Sequence, residues 1–132
     1  MMRCVLQSEE DAMAKIWAAN QIALWCQSSL DGRRYKDELR RQGVVEAMVS
    51  AVSQLEEKNG NIDLRDALFR ALAETVYDHR QNAELAAEHG LLKITSRALS
   101  QKIQDDGLAE HLLCVTNNVI GMCQTIQHVM NS

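Results

Sequence analysis

The chain has 132 residues, of which 46% are hydrophobic and 24% charged, and its formal net charge is −4. This size and balance are typical of one folded domain and argue against a disordered segment. Because the net charge is negative, the chain has no overall attraction to nucleic acid or to an anionic membrane, and neither is expected as a partner.

The sequence predicts an almost entirely helical protein. There is no proline, helix-favouring residues abound, and alternating β-branched runs are absent. Ser8 and Asp11 have the spacing of a capping box, which predicts the start of a helix that continues through AMAKIWAANQIALWCQ. The Asp31-Gly32 pair breaks this helix.

A short helix and two longer ones are expected next. The segment RRYKDELRRQ should end at Gly43, since glycine can adopt the left-handed conformation of a helix stop. A second helix covers residues 44–57, and Asp63 can cap a third. The third helix has one apolar face at helical spacing, formed by Leu64, Leu68, Ala71, Leu72 and Thr75.

The same order then begins again. DHRQNAELAAEH is a short helix that stops at Gly90, a second helix runs to about residue 103, and a final one covers about 108–130. The segments GVVEAMVSAVSQLEEKNG and GLLKITSRALSQKIQDDG start 47 residues apart and share their terminal glycines, an alanine and a Ser-Gln pair. A helical unit of this length that occurs twice is typical of an α-solenoid, in which each unit buries its apolar faces against its neighbours.

The stretch IDLRDALFRALAETVYDHRQNAELAAEHGLL resembles the armadillo repeat family. It has a third helix of A-L-x-x-A-L type, a polar turn with Arg80 and Asn82, a short first helix, then glycine and two aliphatic residues. The segment EEDAMAKIWAANQIALWCQSSLDGRRYKDELRRQGVV follows the same order. The resemblance implies a right-handed α-solenoid of about two and a third repeats. Residues 8–29 would be an isolated third helix, 32–80 a first full repeat and 81–131 a second, in a single domain.

In this family the third helices line a concave surface that commonly binds an extended peptide or a partner helix. Importin-α-like members carry Trp and Asn four residues apart on it. The corresponding pairs here are Trp17 and Gln21, Arg70 and Glu74, and Cys114 and Asn118. These six residues are the candidate partner-binding residues, although only Trp17 and Asn118 keep the family's residue, which does not favour a nuclear import receptor.

Each candidate also has a structural interpretation. The helix that holds Trp17 and Trp25 is apolar nearly all round, so core packing is favoured for both. Arg70 and Glu74 have the i, i+4 spacing of an ion pair. Glu74 and Asn118 are as well suited to a solvated or capping role. The five cations between residues 33 and 41 are expected on a solvated helix face.

No catalytic, metal or cofactor site is expected. His111 and Cys114 have an i, i+3 spacing, but two ligands do not make a structural zinc site. Four scattered cysteines, no signal peptide and no long apolar run predict reduced thiols in a cytoplasmic or nuclear protein. The sequence offers no constellation of acid, base and nucleophile, so we expect a non-catalytic protein.

The final helix is predicted to have an apolar arc of about 200° centred near Val119. This is wider than one surface helix needs, and the first helix is similar. We therefore expect a piece of a longer solenoid, or a small subunit that stacks on another molecule or on itself through its ends. The function expected is protein binding through the concave face or the ends. The alternative is a structural subunit built permanently into cytoskeletal, ciliary or transport machinery.

Overall fold

A computed structural model of the protein describes residues 6, 11–58, 60–100 and 112–121. Within these residues every regular element is an α-helix and there is no strand, which confirms the predicted all-helical class. The helices are α1 (Ala12–Cys26), α2 (Gly32–Arg41), α3 (Val44–Lys58), α4 (Ile62–Val76), α5 (Arg80–Glu88) and α6 (Leu91–Ser100). Residues 112–121 are also helical and are called the 112–121 helix.

Two glycines in the left-handed region separate the short helices from those that follow. Gly43, between α2 and α3, has φ of 75°, and Gly90, between α5 and α6, has φ of 90°. A residue with a Cβ atom is strained in this conformation, so glycine is the residue that suits both turns. Both predicted helix stops are confirmed.

Two of the predicted helix caps are wrong, although α1 begins at Ala12, the first residue of its predicted stretch. Asp11 itself caps α1, because its Oδ1 accepts the backbone N–H two residues later at 3.1 Å, whereas the sequence favoured a box opened by Ser8. Ser8 lies outside the described residues. Asn61 caps α4 through a 3.1 Å bond from the N–H three residues later. Asp63 instead lies in the first turn, where its charge still favours the helix dipole.

Helix α4 lies at the centre of the packing. It contacts α1 most extensively, and also α3 and α5. Its predicted apolar face is confirmed, and the largest of its side chains, Phe69, is completely buried. The residues that α4 buries are Leu64, Ala67, Leu68, Phe69, Ala71, Leu72, Ala73, Thr75 and Val76. Such burial on nearly all sides requires neighbours on nearly all sides.

The 112–121 helix buries a narrower stripe than the sequence suggested. Leu112, Val115 and Val119 are completely buried, whereas Leu113 is 51% exposed and Ile120 is 36% exposed. Val119 is therefore confirmed as a central buried position, whereas Leu113 and Ile120, which also belong to the apolar arc, are left exposed. The predicted end of α6 near residue 103 and the limits of the final helix at 108 and 130 lie outside the described residues.

Candidate interaction surface

Three helices that carry the six candidate residues lie side by side. Helix α1 packs along α4, and the 112–121 helix reaches α4 through Asn118, whose Nδ2 donates to the carbonyl oxygen of Ala73 at 3.4 Å. The candidates on α1, α4 and the 112–121 helix therefore belong to neighbouring elements. Although these residues are about one repeat apart in the sequence, they lie on adjacent helices.

Helix α1 presents an apolar stripe to solvent. Met13, Trp17 and Leu24 are 69%, 57% and 55% exposed, and at 100° per residue they lie within about 40° of one another. The expected core packing of Trp17 is thus wrong. The buried side of α1, which includes Ala18, Ala19 and Ile22, is already sufficient to pack against its neighbours. We call Met13, Trp17 and Leu24 the α1 stripe.

Trp25 differs from Trp17. It is partly buried against the core, and its ring stacks on that of Tyr35 with centroids 6.0 Å apart. Together with Leu39 these two rings line a depression of about 270 Å³ between α1 and α2. The core-packing prediction therefore suits Trp25 better than Trp17.

The candidate pair on α4 does not behave as expected. Arg70 is exposed and Glu74 is half-buried, and among the described residues no ion pair joins them. The order Arg followed by Glu is the weaker orientation of an i, i+4 pair. Gln21, on α1, is half-buried. Glu74 lines a cleft at the carboxyl end of α4, which is described below.

The candidates on the 112–121 helix are divided between a packing role and an exposed one. Asn118 is half-buried and satisfies the carbonyl of Ala73, so it helps to join this helix to α4. Cys114 is an exposed free thiol 3.7 Å from the Asn118 amide. Of the roles left open for Asn118, this contact favours packing between helices over a fully solvated position. The possible partner of Cys114 at a metal, His111, lies outside the described residues.

The carboxyl end of α4 is held by cations from α2. Lys36 is only 7% exposed, and its Nζ donates to the carbonyl of Tyr77 at 2.6 Å and lies 5.4 Å from the centroid of that ring. Arg33 donates to the carbonyl of Asp78 at 3.4 Å. These bonds satisfy carbonyl groups that a helix end leaves free. A solvated face is thus the wrong prediction for Lys36.

A histidine joins the same end of α4 to α2 and α5. His79 is 2% exposed; its Nδ1 accepts the backbone N–H of Asn82 at 3.1 Å and its Nε2 lies 2.6 Å from Oδ1 of Asp37. The acceptor role of Nδ1 places the proton on Nε2, which donates to the carboxylate. This hydrogen bond lowers the pKa of Asp37; desolvation opposes the shift, and the nearby charges of Arg33 and Arg40 add to it.

Asn82 also connects the carboxyl end of α4 to α2. We call the contacts of Lys36, His79 and Asn82 at this end of α4 the joint. Its side chain is fully buried and donates to the carbonyls of Lys36 and Thr75 at 3.0 and 3.2 Å. It lies inside α5, as does Arg80, so the polar turn expected at these residues is instead the first turn of a helix. The residues that sequence reasoning missed here are Lys36, Asp37, Tyr77 and His79, because their partners are more than 40 residues away in the chain.

The thiol of Cys26 lies next to this region but has a packing role. It is buried, and its Sγ is 3.7 Å from Oγ1 of Thr75, which itself donates to the carbonyl of Ala71. Burial raises the pKa of Cys26, while the hydrogen bond with Thr75 and the charge of Lys36 oppose that rise.

Neither a metal site nor a membrane span is found in the described part of the chain. No group of three or more His, Cys, Asp or Glu residues is placed there to hold a metal ion. No helix among those residues is long and apolar enough to cross a bilayer.

Comparison with known proteins identifies no relative. No family model, no curated protein and no solved structure matches the chain.

Proposed function

We propose that the protein is an armadillo-like α-solenoid that binds a protein partner through the surface of α1, α4 and the 112–121 helix, without catalysis. The proposal is supported by a recurring order of elements, in which a short helix, a left-handed glycine and a further helix follow one another at α2–α3 and again at α5–α6. It is also supported by the neighbouring positions of the three candidate-bearing helices.

The observation that carries the binding proposal is the α1 stripe. Three large apolar side chains, each more than half exposed, lie along one side of a helix whose other side is already packed. Exposed single apolar residues are common, but an aligned set that includes tryptophan is typical of an interaction site. Its spacing suits an extended segment or a partner helix laid along α1. On this proposal the neighbouring polar residues Gln21 and Arg70 set the register of the partner.

The alternative is that the chain is a permanent structural subunit of a larger assembly. It is favoured by exposed apolar residues on both terminal described helices, namely the α1 stripe and Leu113 with Ile120 on the 112–121 helix. In an obligate assembly these residues would be buried by the neighbouring subunit. A location in the cytoplasm or nucleus is proposed for either function, because the four scattered cysteines are typical of reduced thiols.

The test begins with the solution mass of the chain, measured by light scattering behind a sizing column over a wide concentration range. A monomer at all concentrations favours the binding module. A mass that rises with concentration in the wild type, but not in the double variant Trp17→Ala/Leu24→Ala, favours assembly through the α1 stripe.

Partner capture then tests the binding module directly. The wild-type chain and the double variant are compared, with Leu30→Ala as the matched control, because Leu30 is 92% exposed and lies outside the stripe. Proteins retained by the wild type and the control but lost from the double variant support the proposal. Equal retention by all three chains, at equal melting temperature, would contradict it.

A further inference from the structure

A cleft of about 360 Å³ opens at the carboxyl ends of α1 and α4. Its charged residues come from two sides. Arg33 and Lys36 belong to α2, whereas Glu74 and Asp78 belong to the end of α4 and the turn after it. Tyr77, which is 59% exposed, lies between the two groups in sequence and also lines the cleft.

The two cations of the cleft are not neutralised by carboxylates. Lys36 and Arg33 each have one hydrogen-bond acceptor among the described residues, and both acceptors are backbone carbonyls. No described carboxylate lies within 4.0 Å of either cation. An ammonium group has three donors, and a guanidinium group has five, so both retain donors for a further acceptor.

The two carboxylates of the cleft are also unpaired within the described residues. Neither Glu74 nor Asp78 takes part in an ion pair there. The two cations bind the backbone carbonyls of Tyr77 and Asp78 instead. The cleft therefore presents two cations and two carboxylates, with no net charge.

We propose that this cleft binds a segment of a partner polypeptide in which an acidic and a basic side chain are separated by one residue. The acidic group binds the exposed Arg33, where the nearly buried Lys36 in the cleft wall adds a second positive charge, and the basic group binds Glu74 and Asp78. In an extended chain, side chains two residues apart point to the same side and lie roughly 6.6 Å apart, a spacing that fits one compact cleft. This inference rests on the proposed function and names the chemistry of the partner.

The direct test is an NMR titration of the ¹⁵N-labelled full chain with the blocked peptide acetyl-Ser-Glu-Thr-Lys-Ser-amide. The expected result is saturable shifts of backbone amide signals around the cleft, at Gly32, Arg33, Lys36 and Asp78. Replacing the peptide's Glu by Gln, or its Lys by Gln, should each weaken binding about twofold to fivefold, as expected for partly exposed charge pairs. Equal binding of all three peptides, or no saturable shift, would overturn the proposal.

Two matched pairs of variants assign the binding to the cleft. Arg33→Gln should weaken binding about threefold or more, and Arg34→Gln should leave it unchanged, since Arg34 lies outside the cleft and 3.9 Å from Asp31. Glu74→Gln should weaken binding similarly. Its control, Asp63→Asn, is on the same helix about 16 Å away. If both members of either pair have the same effect while the melting temperature is unchanged, the cleft is not the site.

These experiments distinguish failure of the cleft proposal from failure of the proposed function. Loss of partner capture in the α1 stripe variant, with no peptide binding at the cleft, would leave the binding module intact and reject the cleft. Peptide binding that responds to Arg33 and Glu74 but not to the α1 stripe, together with capture unaffected by that stripe, would support the cleft and reject the stripe as the partner surface.

Discussion

Helices α1 and α4 are both 15 residues long and lie against each other, yet they use their apolar residues differently. Helix α4 exposes only Ile62, Asp63 and Arg70 and buries nine residues, whereas α1 buries five and leaves the α1 stripe in solvent. The difference follows from position. Among the described residues, α4 has α1, α3, α5 and the 112–121 helix around it, while α1 packs mainly against α4 and α2. The number of neighbours thus determines how much of an apolar helix is free to bind another molecule.

The carboxyl ends of the two helices differ in the same way. The end of α4 is joined to α2 and α5 by Lys36, His79 and Asn82. The residues after α1 make few long-range bonds, and Leu30 there is 92% exposed. The four predictions below test how far this contrast extends, in order of expected effect.

The largest effect is expected from Val119→Asp, which tests whether the 112–121 helix, in addition to α1, packs against α4. Val119 is completely buried, so the variant places a carboxylate in an apolar site and should lower the free energy of unfolding by roughly 4 kcal/mol or more. Urea denaturation measures the loss. Leu113→Asp, at a position that is 51% exposed, should cost less than about 1 kcal/mol. If the two variants lost similar amounts of unfolding free energy, the difference in burial between Val119 and Leu113 would be contradicted.

The same substitution in the two helices gives the most direct comparison. Leu68→Ala in α4 removes a completely buried side chain and should cost about 2–5 kcal/mol. Leu24→Ala in α1 removes one that is 55% exposed and should change stability by about 0.5 kcal/mol or less. Both changes in stability are measured as shifts of the denaturant midpoint, provided that the slope of unfolding free energy against denaturant concentration is unchanged. A cost for Leu24→Ala as large as that for Leu68→Ala would mean that α1 is packed like α4.

The turn between α5 and α6 is a smaller but separate test, because α5 covers part of α4. Gly90 has φ of 90°, and a Cβ atom there would meet no neighbouring atom within 4 Å. Gly90→Val should therefore cost about 1–2 kcal/mol through backbone strain alone. Gly121→Ala, in the 112–121 helix and also without a clash, should not lower the melting temperature. An unchanged melting temperature in Gly90→Val would contradict the left-handed stop.

The smallest effect is the pH dependence of the joint at the end of α4. The pKa of Asp37 is lowered in the folded protein by the hydrogen bond from His79. The Asp37 carboxylate therefore binds a proton more readily in the unfolded chain than in the folded protein. The stabilisation that its hydrogen bond gives is present above the unfolded pKa of about 3.9. It is lost as pH falls through the folded pKa.

Asp37→Asn should consequently destabilise the protein near neutral pH, and the difference from wild type should shrink below about pH 4. Denaturation at several pH values measures this difference. Leu24→Ala, which removes no ionisable group, should differ from wild type by the same amount at each pH. A difference for Asp37→Asn that does not change with pH would show that the Asp37 carboxylate does not stabilise the joint.

Much of the fold is predictable because its signals are local. The stops at Gly43 and Gly90 and the buried face of α4 depend on backbone sterics and on a 3.6-residue period, both visible in a short segment. The cap of α4 was misassigned by two residues, since Asn61 and Asp63 are both good capping residues and the sequence alone does not choose between them. The position of Glu74 at an exposed cleft was not predictable from its apolar helix.

The sequence by itself determined the helical class, the two glycine stops and one buried face of α4. The tertiary structure decided that Trp17 is exposed, that Lys36 is buried and that a charged cleft forms at the end of α4. The physical reason is the range of the forces concerned. Helix propensity and capping act over about four residues, whereas the exposure of a side chain depends on neighbours such as Tyr77, which is 41 residues from Lys36.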